Sequence, residues 1–236
     1  MARTIKIDNA LQKRFSHSKK KRKSRELKVY FLIVCEGEKT EPNYFNSFPK
    51  NIGHIVYNIE CEGKGYNTLK VVDTALELRD KSTQIFDRVW AVFDRDSFPA
   101  NKFNDAISKA NATGISCAWS NEAFELWYLL HFQYRNTGMK RNEYKKAIEN
   151  AVNEQIKNKK KPFEYAKNAP DMYFVLQQYG NQEQAIENAK KLMQQHEGQQ
   201  FADYNPATMV YLLVEELTGI SSELNEEINK KFEKGV

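Results

Sequence analysis

The chain has 236 residues, of which 41% are hydrophobic and 28% are charged, a balance typical of a globular protein with a real core. No apolar run approaches the ~18–20 residues of a membrane span, and no signal-peptide pattern opens the chain. Three cysteines, Cys35, Cys61 and Cys117, show no paired ligand spacing, so a disulfide scaffold and a zinc ribbon are not expected. We therefore predict a cytoplasmic protein.

Positive charge is concentrated at the N-terminus. The net charge is +5, but residues 1–28 hold eleven Lys and Arg against Asp8 and Glu26, so the rest of the chain is mildly acidic. The densest basic block consists of Lys19, Lys20, Lys21, Arg22, Lys23 and Arg25. Such a block is expected to be solvated and mobile, and it can contact nucleic-acid phosphates independently of sequence. The alternative is a tail that only aids solubility.

Strands and helices are predicted to alternate over the first half of the chain. Val29–Val34 is a continuous apolar run typical of a strand buried on both faces, and a helix with Thr40 as its N-cap is expected to follow. Further strands are predicted over Ile55–Ile59, Val89–Phe93 and Ile115–Trp119. One helix is expected to end at about Asp80, and two more are expected over Asn101–Ala110 and Asn121–His131. This order indicates an α/β fold with a parallel sheet flanked by helices.

Beyond about residue 138 the apolar spacing becomes helical. Helices are predicted over Tyr144–Ile156, Met172–Tyr179, Glu183–His196, Pro206–Leu217 and Glu223–Phe232. We therefore expect a basic arm over residues 1–27, an α/β domain over 28–137 and a helical C-terminal region over 138–236.

Acidic residues follow the predicted strands, where ligands of parallel sheets bind. Glu36 follows the first strand, and Asp94 and Asp96 follow the third, with both side chains expected on one side of extended backbone. Glu122 and Glu125 are expected on one face of the next helix. Clustered carboxylates repel one another unless a cation lies among them, and Mg²⁺ prefers such ligands. Taken alone, Asp94 and Asp96 could make a turn or cap the following helix, and Glu122 and Glu125 could form a negatively charged first helical turn. Glu36 alone is uninformative.

Three segments carry a resemblance to a known family. Val34–Glu41 resembles the first motif of the TOPRIM domain, the metal-binding fold of topoisomerases, primases and OLD-type nucleases, and Asp94-Arg95-Asp96 resembles its DxD pair. The stretches Ile33–Phe45, Val92–Ser97 and Ser120–Phe132 are similar to the RloB-like family, which is encoded beside restriction–modification genes and linked to anti-phage defence. The resemblance covers roughly residues 26–135.

This resemblance implies a Mg²⁺-dependent nuclease, with Mn²⁺ as an alternative ion. Glu36, Asp94 and Asp96 would be the main ligands, while Glu41 and Glu125 are candidates for a second ion. Lys39 is a candidate for neutralising charge in the transition state.

The sequence is compatible with more than one role for a loop lysine and with more than one function. Lys64, in a Gly-containing loop, could bind a phosphate or belong to a plain turn. Either DNA or RNA could be the substrate, and a defence-system protein partner is possible. The alternative function is a subunit that binds or senses nucleic acid or a nucleotide without catalysis.

Overall fold

A computed structural model describes residues 26–53, 55–63, 68–96, 98–157, 161–196 and 198–234. The predicted phosphate-binding residues all lie outside these ranges: Lys19, Lys20, Lys21, Arg22, Lys23, Arg25 and Lys64. No helix within the described ranges is both long and apolar enough to cross a bilayer.

Six strands within the described residues form one sheet in the order β2-β3-β1-β4-β5-β6. The central strands β3, β1, β4 and β5 are parallel, as the sequence predicts, and the short edge strands β2 and β6 are antiparallel to their neighbours. The predicted α/β class is confirmed. The strands span Leu27–Cys35 (β1), Asn51–Ile52 (β2), Ile55–Gly63 (β3), Arg88–Asp94 (β4), Ser116–Asn121 (β5) and Ala207–Thr208 (β6).

Helices flank the sheet on both sides. Those of the first half are Thr40–Asn46 (α1), Thr68–Lys81 (α2), Ala100–Ala112 (α3) and Glu125–Leu130 (α4). Those of the C-terminal region are Tyr144–Gln155 (α5), Met172–Tyr179 (α6), Gln182–Gln194 (α7), Val210–Leu217 (α8) and Ser222–Lys234 (α9), with short 3-10 turns at Arg141–Glu143 and Phe201–Asp203.

Strand β1 is the centre of the core because its side chains alternate between two buried faces. Phe31 and Ile33 belong to the apolar cluster on one face, and Leu32 and Val34 belong to the cluster on the other. All four side chains are at most 1% exposed. Burying such a side chain stabilises the fold by about 1.5–3 kcal/mol, which explains why β1 reads as an unbroken apolar run.

The first of these clusters is shared with the C-terminal region. Ile148, Leu176 and Leu213 are fully or almost fully buried in the same cluster as Phe31 and Ile33. Strand β6 also extends the sheet by pairing with β5. The residues after 138 therefore complete the core around the sheet.

The predicted start of the fourth helix is wrong. Asn121 is still part of β5, and α4 begins only at Glu125. Glu122 therefore lies in the connection between strand and helix, and the expected pairing of Glu122 with Glu125 on one helical face does not form. The aromatic side chains of this segment, Phe124, Trp127 and Tyr128, are core residues, and His131 is buried at 1% exposure.

Thr40 does not act as the predicted N-cap. It is the first residue of α1, and its hydroxyl donates a hydrogen bond to the carbonyl of Lys167 at 2.7 Å. The side-chain amide of Asn43 likewise donates to the carbonyl of Asn168 at 3.2 Å. These bonds tie the start of α1 to the segment that precedes α6.

Candidate functional site

Glu36 and Asp94 meet because β1 and β4 are parallel neighbours, so their carboxyl ends lie at one edge of the sheet. The Glu36 amide donates to the carbonyl of Val92 at 2.9 Å, which continues the pairing one residue past β1. The Asp94 amide in turn donates to Oε2 of Glu36 at 3.1 Å. The predicted convergence of these two acidic residues is present in the structure.

Glu41 enters the same site from the first turn of α1. It is only 5% exposed although its side chain is acidic. The side chain of Glu41 has room there because Gly37, which lies against it, has no side chain. A Cβ atom at Gly37 would lie 2.2 Å from Oε2 of Glu41. Gly63, at the end of β3, is also required by close approach, since a Cβ atom there would lie 2.2 Å from the carbonyl oxygen of Gly37.

Asp96 reaches the site by a route that the sequence does not predict. Asp94 ends β4, but Asp96 has φ of +37° and therefore lies in a turn, not in extended backbone. Its carboxylate forms an ion pair with Arg141. The other terminal nitrogen of Arg141 lies 3.6 Å from Oδ2 of Asp94, so one guanidinium bridges both aspartates.

Glu125 is the first residue of α4 and is 5% exposed. Its Oε1 accepts a hydrogen bond of 3.1 Å from the hydroxyl of Tyr165, which belongs to the C-terminal region. Burial, followed by the charge of Glu125, raises the pKa of Tyr165, so this hydroxyl keeps its proton and continues to donate. The hydrogen bond fixes the carboxylate of Glu125 in its buried position.

These residues line a cavity of about 420 Å³. Five carboxylates and three cationic side chains are among its lining residues, so the wall is acidic on balance. The lining consists of Glu36, Gly37, Glu38, Lys39, Thr40, Glu41, Asp94, Phe124, Glu125, Arg141, Lys167 and Asn168. Lys39 is exposed, and Asp96 adjoins the cavity through its ion pair with Arg141.

Burial and mutual repulsion disfavour the charged forms of these carboxylates. Burial, opposed by the hydrogen bond from the Asp94 amide and reinforced by Glu41, raises the pKa of Glu36 to about 7. The pKa of Asp94 lies well above its ordinary value, first because of burial and then because of Glu41 and Glu125. Burial and Glu125 raise the pKa of Glu41 as well. The site thus holds carboxylates that the nearby cations do not fully compensate.

The C-terminal region supplies one side of the site, which the sequence did not predict. Arg141, Tyr165, Lys167 and Asn168 lie 47 or more positions beyond Asp94 in the chain and belong to no motif. The only local signal is that Arg141 precedes a predicted helix. Arg95, which lies between the two aspartates in the sequence, donates to the backbone carbonyls of Asp96 and Phe98.

The chemistry of this donor set fits a divalent cation. Carboxylate oxygens are the preferred ligands of Mg²⁺ and Mn²⁺, and the raised pKa values indicate that a further positive charge would stabilise the site. The hydroxyl of Tyr144, buried beside Glu122 and Glu125, has no hydrogen-bond partner among the described atoms. Over the described ranges, no three His, Cys, Asp or Glu side chains are already grouped as ligands of one ion.

Fold and site together define an α/β protein with a cavity that is lined by carboxylates and lies at the carboxyl ends of its parallel strands. Comparison with known families gives a match to the RloB-like protein family over residues 31–217. The chain therefore belongs to the RloB-like family. Neither the curated proteins nor the solved structures gave a match to this chain.

Proposed function

We propose that this protein is a divalent-metal-dependent nuclease that hydrolyses phosphodiester bonds in DNA or RNA. The observation that supports this proposal is the convergence of Glu36, Glu41, Asp94 and Glu125, from four separate elements, in one cavity at the edge of the sheet. The resemblance of Val34–Glu41 and of the Asp94-Arg95-Asp96 segment to TOPRIM motifs gives independent support from the sequence.

The roles of the residues follow from their positions. Glu36, Asp94 and Asp96 would hold Mg²⁺ or Mn²⁺, and Glu41 and Glu125 would hold a second ion. When bound, such an ion supplies a Lewis acid that polarises a phosphoryl oxygen and activates a water molecule.

The rest of the cavity positions these groups. The Asp94 amide orients Glu36, and the Tyr165 hydroxyl orients Glu125, so neither carboxylate must reorganise for the reaction. Lys39 lies exposed at the cavity, where its ammonium can contact a phosphate of the substrate.

The basic N-terminal block is proposed to retain the nucleic acid near this cavity. Its six cationic side chains would contact phosphates regardless of nucleotide sequence. This block therefore does not discriminate between DNA and RNA. A role in prokaryotic anti-phage defence, with a defence-system protein as a possible partner, is proposed from the properties of the RloB-like family.

The direct test is the double substitution Asp94→Asn with Asp96→Asn. Mn²⁺-dependent cleavage of DNA and RNA should be lost, while the far-ultraviolet circular dichroism of the protein is retained. The matched control is Asp80→Asn with Asp105→Asn, which removes two exposed carboxylates on α2 and α3. Equal cleavage by the double variant and the parent would refute the assignment.

A non-catalytic binding or sensing subunit is the second candidate function. The observation that favours it is the guanidinium of Arg141, which already occupies the aspartates that would hold the ion. Purified protein that binds nucleic acid in Mn²⁺ but yields no more product than a protein-free control would support this alternative. Cleavage that a chelator abolishes would support the nuclease.

A further inference from the structure

Arg141 is the cation that lies on the two aspartates of the site. It belongs to the 3-10 turn Arg141–Glu143 that precedes α5, so the C-terminal region places it opposite the end of β4. Nη1 is paired with Oδ2 of Asp96, and Nη2 lies 3.6 Å from Oδ2 of Asp94. The guanidinium is therefore held by one oxygen of each carboxylate.

A divalent ion bound between Asp94 and Asp96 would compete for these oxygens. A guanidinium close to a doubly charged ion is also repelled by it, because the cavity wall is desolvated and screens charge poorly. Binding of the ion to the aspartates therefore weakens the ion pairs that Arg141 forms with them, and the reverse also holds. The alternative position for the guanidinium is the cavity that it already lines.

The side chain of Arg141 can reach that alternative position. It is 36% exposed, in contrast to the 8% of Asp94, so it is not fixed by packing. A guanidinium presents a planar fork of donors that matches the oxygens of a phosphate, whereas the ammonium of a lysine is a point charge. Once released from the aspartates, Arg141 is thus suited to bind the anionic group of a substrate.

We propose that Arg141 is a substrate-binding residue that is held on Asp94 and Asp96 in the metal-free protein and is released to a substrate phosphate when the ion binds. This inference rests on the proposed function, since it requires both an ion and a phosphodiester at this site. It explains why a cationic side chain lies where the ion is expected. It also makes metal binding a condition for full substrate affinity.

The test compares Arg141→Gln with the parent in two binding measurements on the full chain. Mn²⁺ affinity is measured by electron paramagnetic resonance of the free ion. Affinity for a fluorescein-labelled oligonucleotide is measured by anisotropy in EDTA and in saturating Mn²⁺, before cleavage products accumulate. The matched control is Lys146→Gln, which removes the same charge from an exposed position on α5.

Arg141→Gln should bind Mn²⁺ more tightly than the parent, by a few-fold or more, because a competing cation has been removed. Its oligonucleotide affinity should equal that of the parent in EDTA and should be about tenfold or more weaker in Mn²⁺, the usual effect of losing hydrogen bonds to a charged group. Lys146→Gln should change neither measurement by more than about twofold, as expected for an exposed charge.

Arg141→Lys keeps the positive charge and tests the idea if the glutamine variant does not fold. Because one ammonium does not match both aspartates as the guanidinium fork does, the lysine should compete less strongly with the ion. The variant should therefore bind Mn²⁺ more tightly than the parent, though less tightly than Arg141→Gln, and lose part of the Mn²⁺-dependent gain in oligonucleotide affinity. The role of Arg141 would be overturned if both variants bound Mn²⁺ no more tightly than the parent. It would also be overturned if the loss of oligonucleotide affinity in EDTA were as large as the loss in Mn²⁺. A parent protein that binds no Mn²⁺ would instead overturn the proposed nuclease.

Discussion

Replacing Glu36 with glutamine should stabilise the metal-free protein while abolishing its response to metal. The pKa of this carboxyl rises from 4.5 to about 7 on folding, so the native state binds the proton more tightly than the unfolded state. At 1.36 kcal/mol for each tenfold change in proton affinity, ionising Glu36 costs the native state about 3–4 kcal/mol relative to the unfolded state before screening by solvent is considered. Glu36 is only partly buried, and screening by solvent reduces the expected gain to about 1–2 kcal/mol.

The sign of this effect fixes its pH dependence. A carboxyl with a raised pKa contributes stability that is fully present below 4.5 and is lost as the pH rises through about 7. Glu36→Gln should therefore equal the parent at pH 4.5 and exceed it at pH 8. For a chain of this size, the gain at pH 8 corresponds to an increase in Tm of about 3–6 °C.

Urea unfolding in EDTA at the two pH values measures the difference directly. Glu60→Gln is the control, because it removes an exposed carboxylate from β3 and should leave stability within about 0.5 kcal/mol of the parent. In Mn²⁺ at 100 times its Kd, the parent should gain about 2.7 kcal/mol, and the variant should gain much less. A variant no more stable than the parent at pH 8 in EDTA would refute the electrostatic reasoning.

Three further predictions concern different parts of the molecule. Gly37→Ala places a Cβ atom 2.2 Å from Oε2 of Glu41, so the carboxylate should move and Mn²⁺ affinity should fall about tenfold, as seen by titration. Glu216→Ala removes the 2.7 Å partner of Arg88, which keeps its 2.8 Å ion pair with Glu227, so the free energy of unfolding should fall by about 1–3 kcal/mol while cleavage at low temperature is unchanged. Removal of residues 1–25, which carry ten Lys and Arg, should weaken nucleic-acid binding and flatten its dependence on salt, as measured by anisotropy at several salt concentrations. An unchanged salt slope would leave this segment without a phosphate-binding role.

Strands β1 and β4 could be predicted because most of their residues are buried. Each of β1 and β4 is buried on both faces and therefore contains an uninterrupted run of apolar side chains. The edge strands β2 and β6 contain two residues each, which is too short for any periodic pattern, and only their pairing with β3 and β5 defines them.

The acidic residues were predictable from the strands that precede them, but their local conformations were not. Glu36 and Asp94 meet because adjacent parallel strands end together, a consequence of topology alone. The turn at Asp96 depends on backbone contacts with the connection between β5 and α4, such as its amide donating to the carbonyl of Glu122 at 3.2 Å. Such contacts join positions far apart in sequence, so a local pattern does not contain them.

Contacts between distant elements also bring together groups for which the sequence shows no relationship. Sγ of Cys35 and Sγ of Cys61 lie 3.7 Å apart because β1 and β3 are neighbours. The two thiols do not form a disulfide. Arg141 and Tyr165 reach the acidic site in the same way, from elements that precede and follow α5. Their positions are set by the packing of the C-terminal region, which no motif describes.

The energetics of the cavity indicate why the C-terminal region is part of the site. The sheet alone would present Glu36, Asp94 and Asp96 with no cation between the aspartates, and their repulsion would oppose folding. Arg141 supplies that cation, and the same packing brings Tyr165 to Glu125. Under the proposed function, the site must be stable when empty and must still accept a divalent ion, so it needs a compensating charge that can leave. An arginine on a separate element, more than a third exposed, meets both requirements, whereas a fully buried one would not.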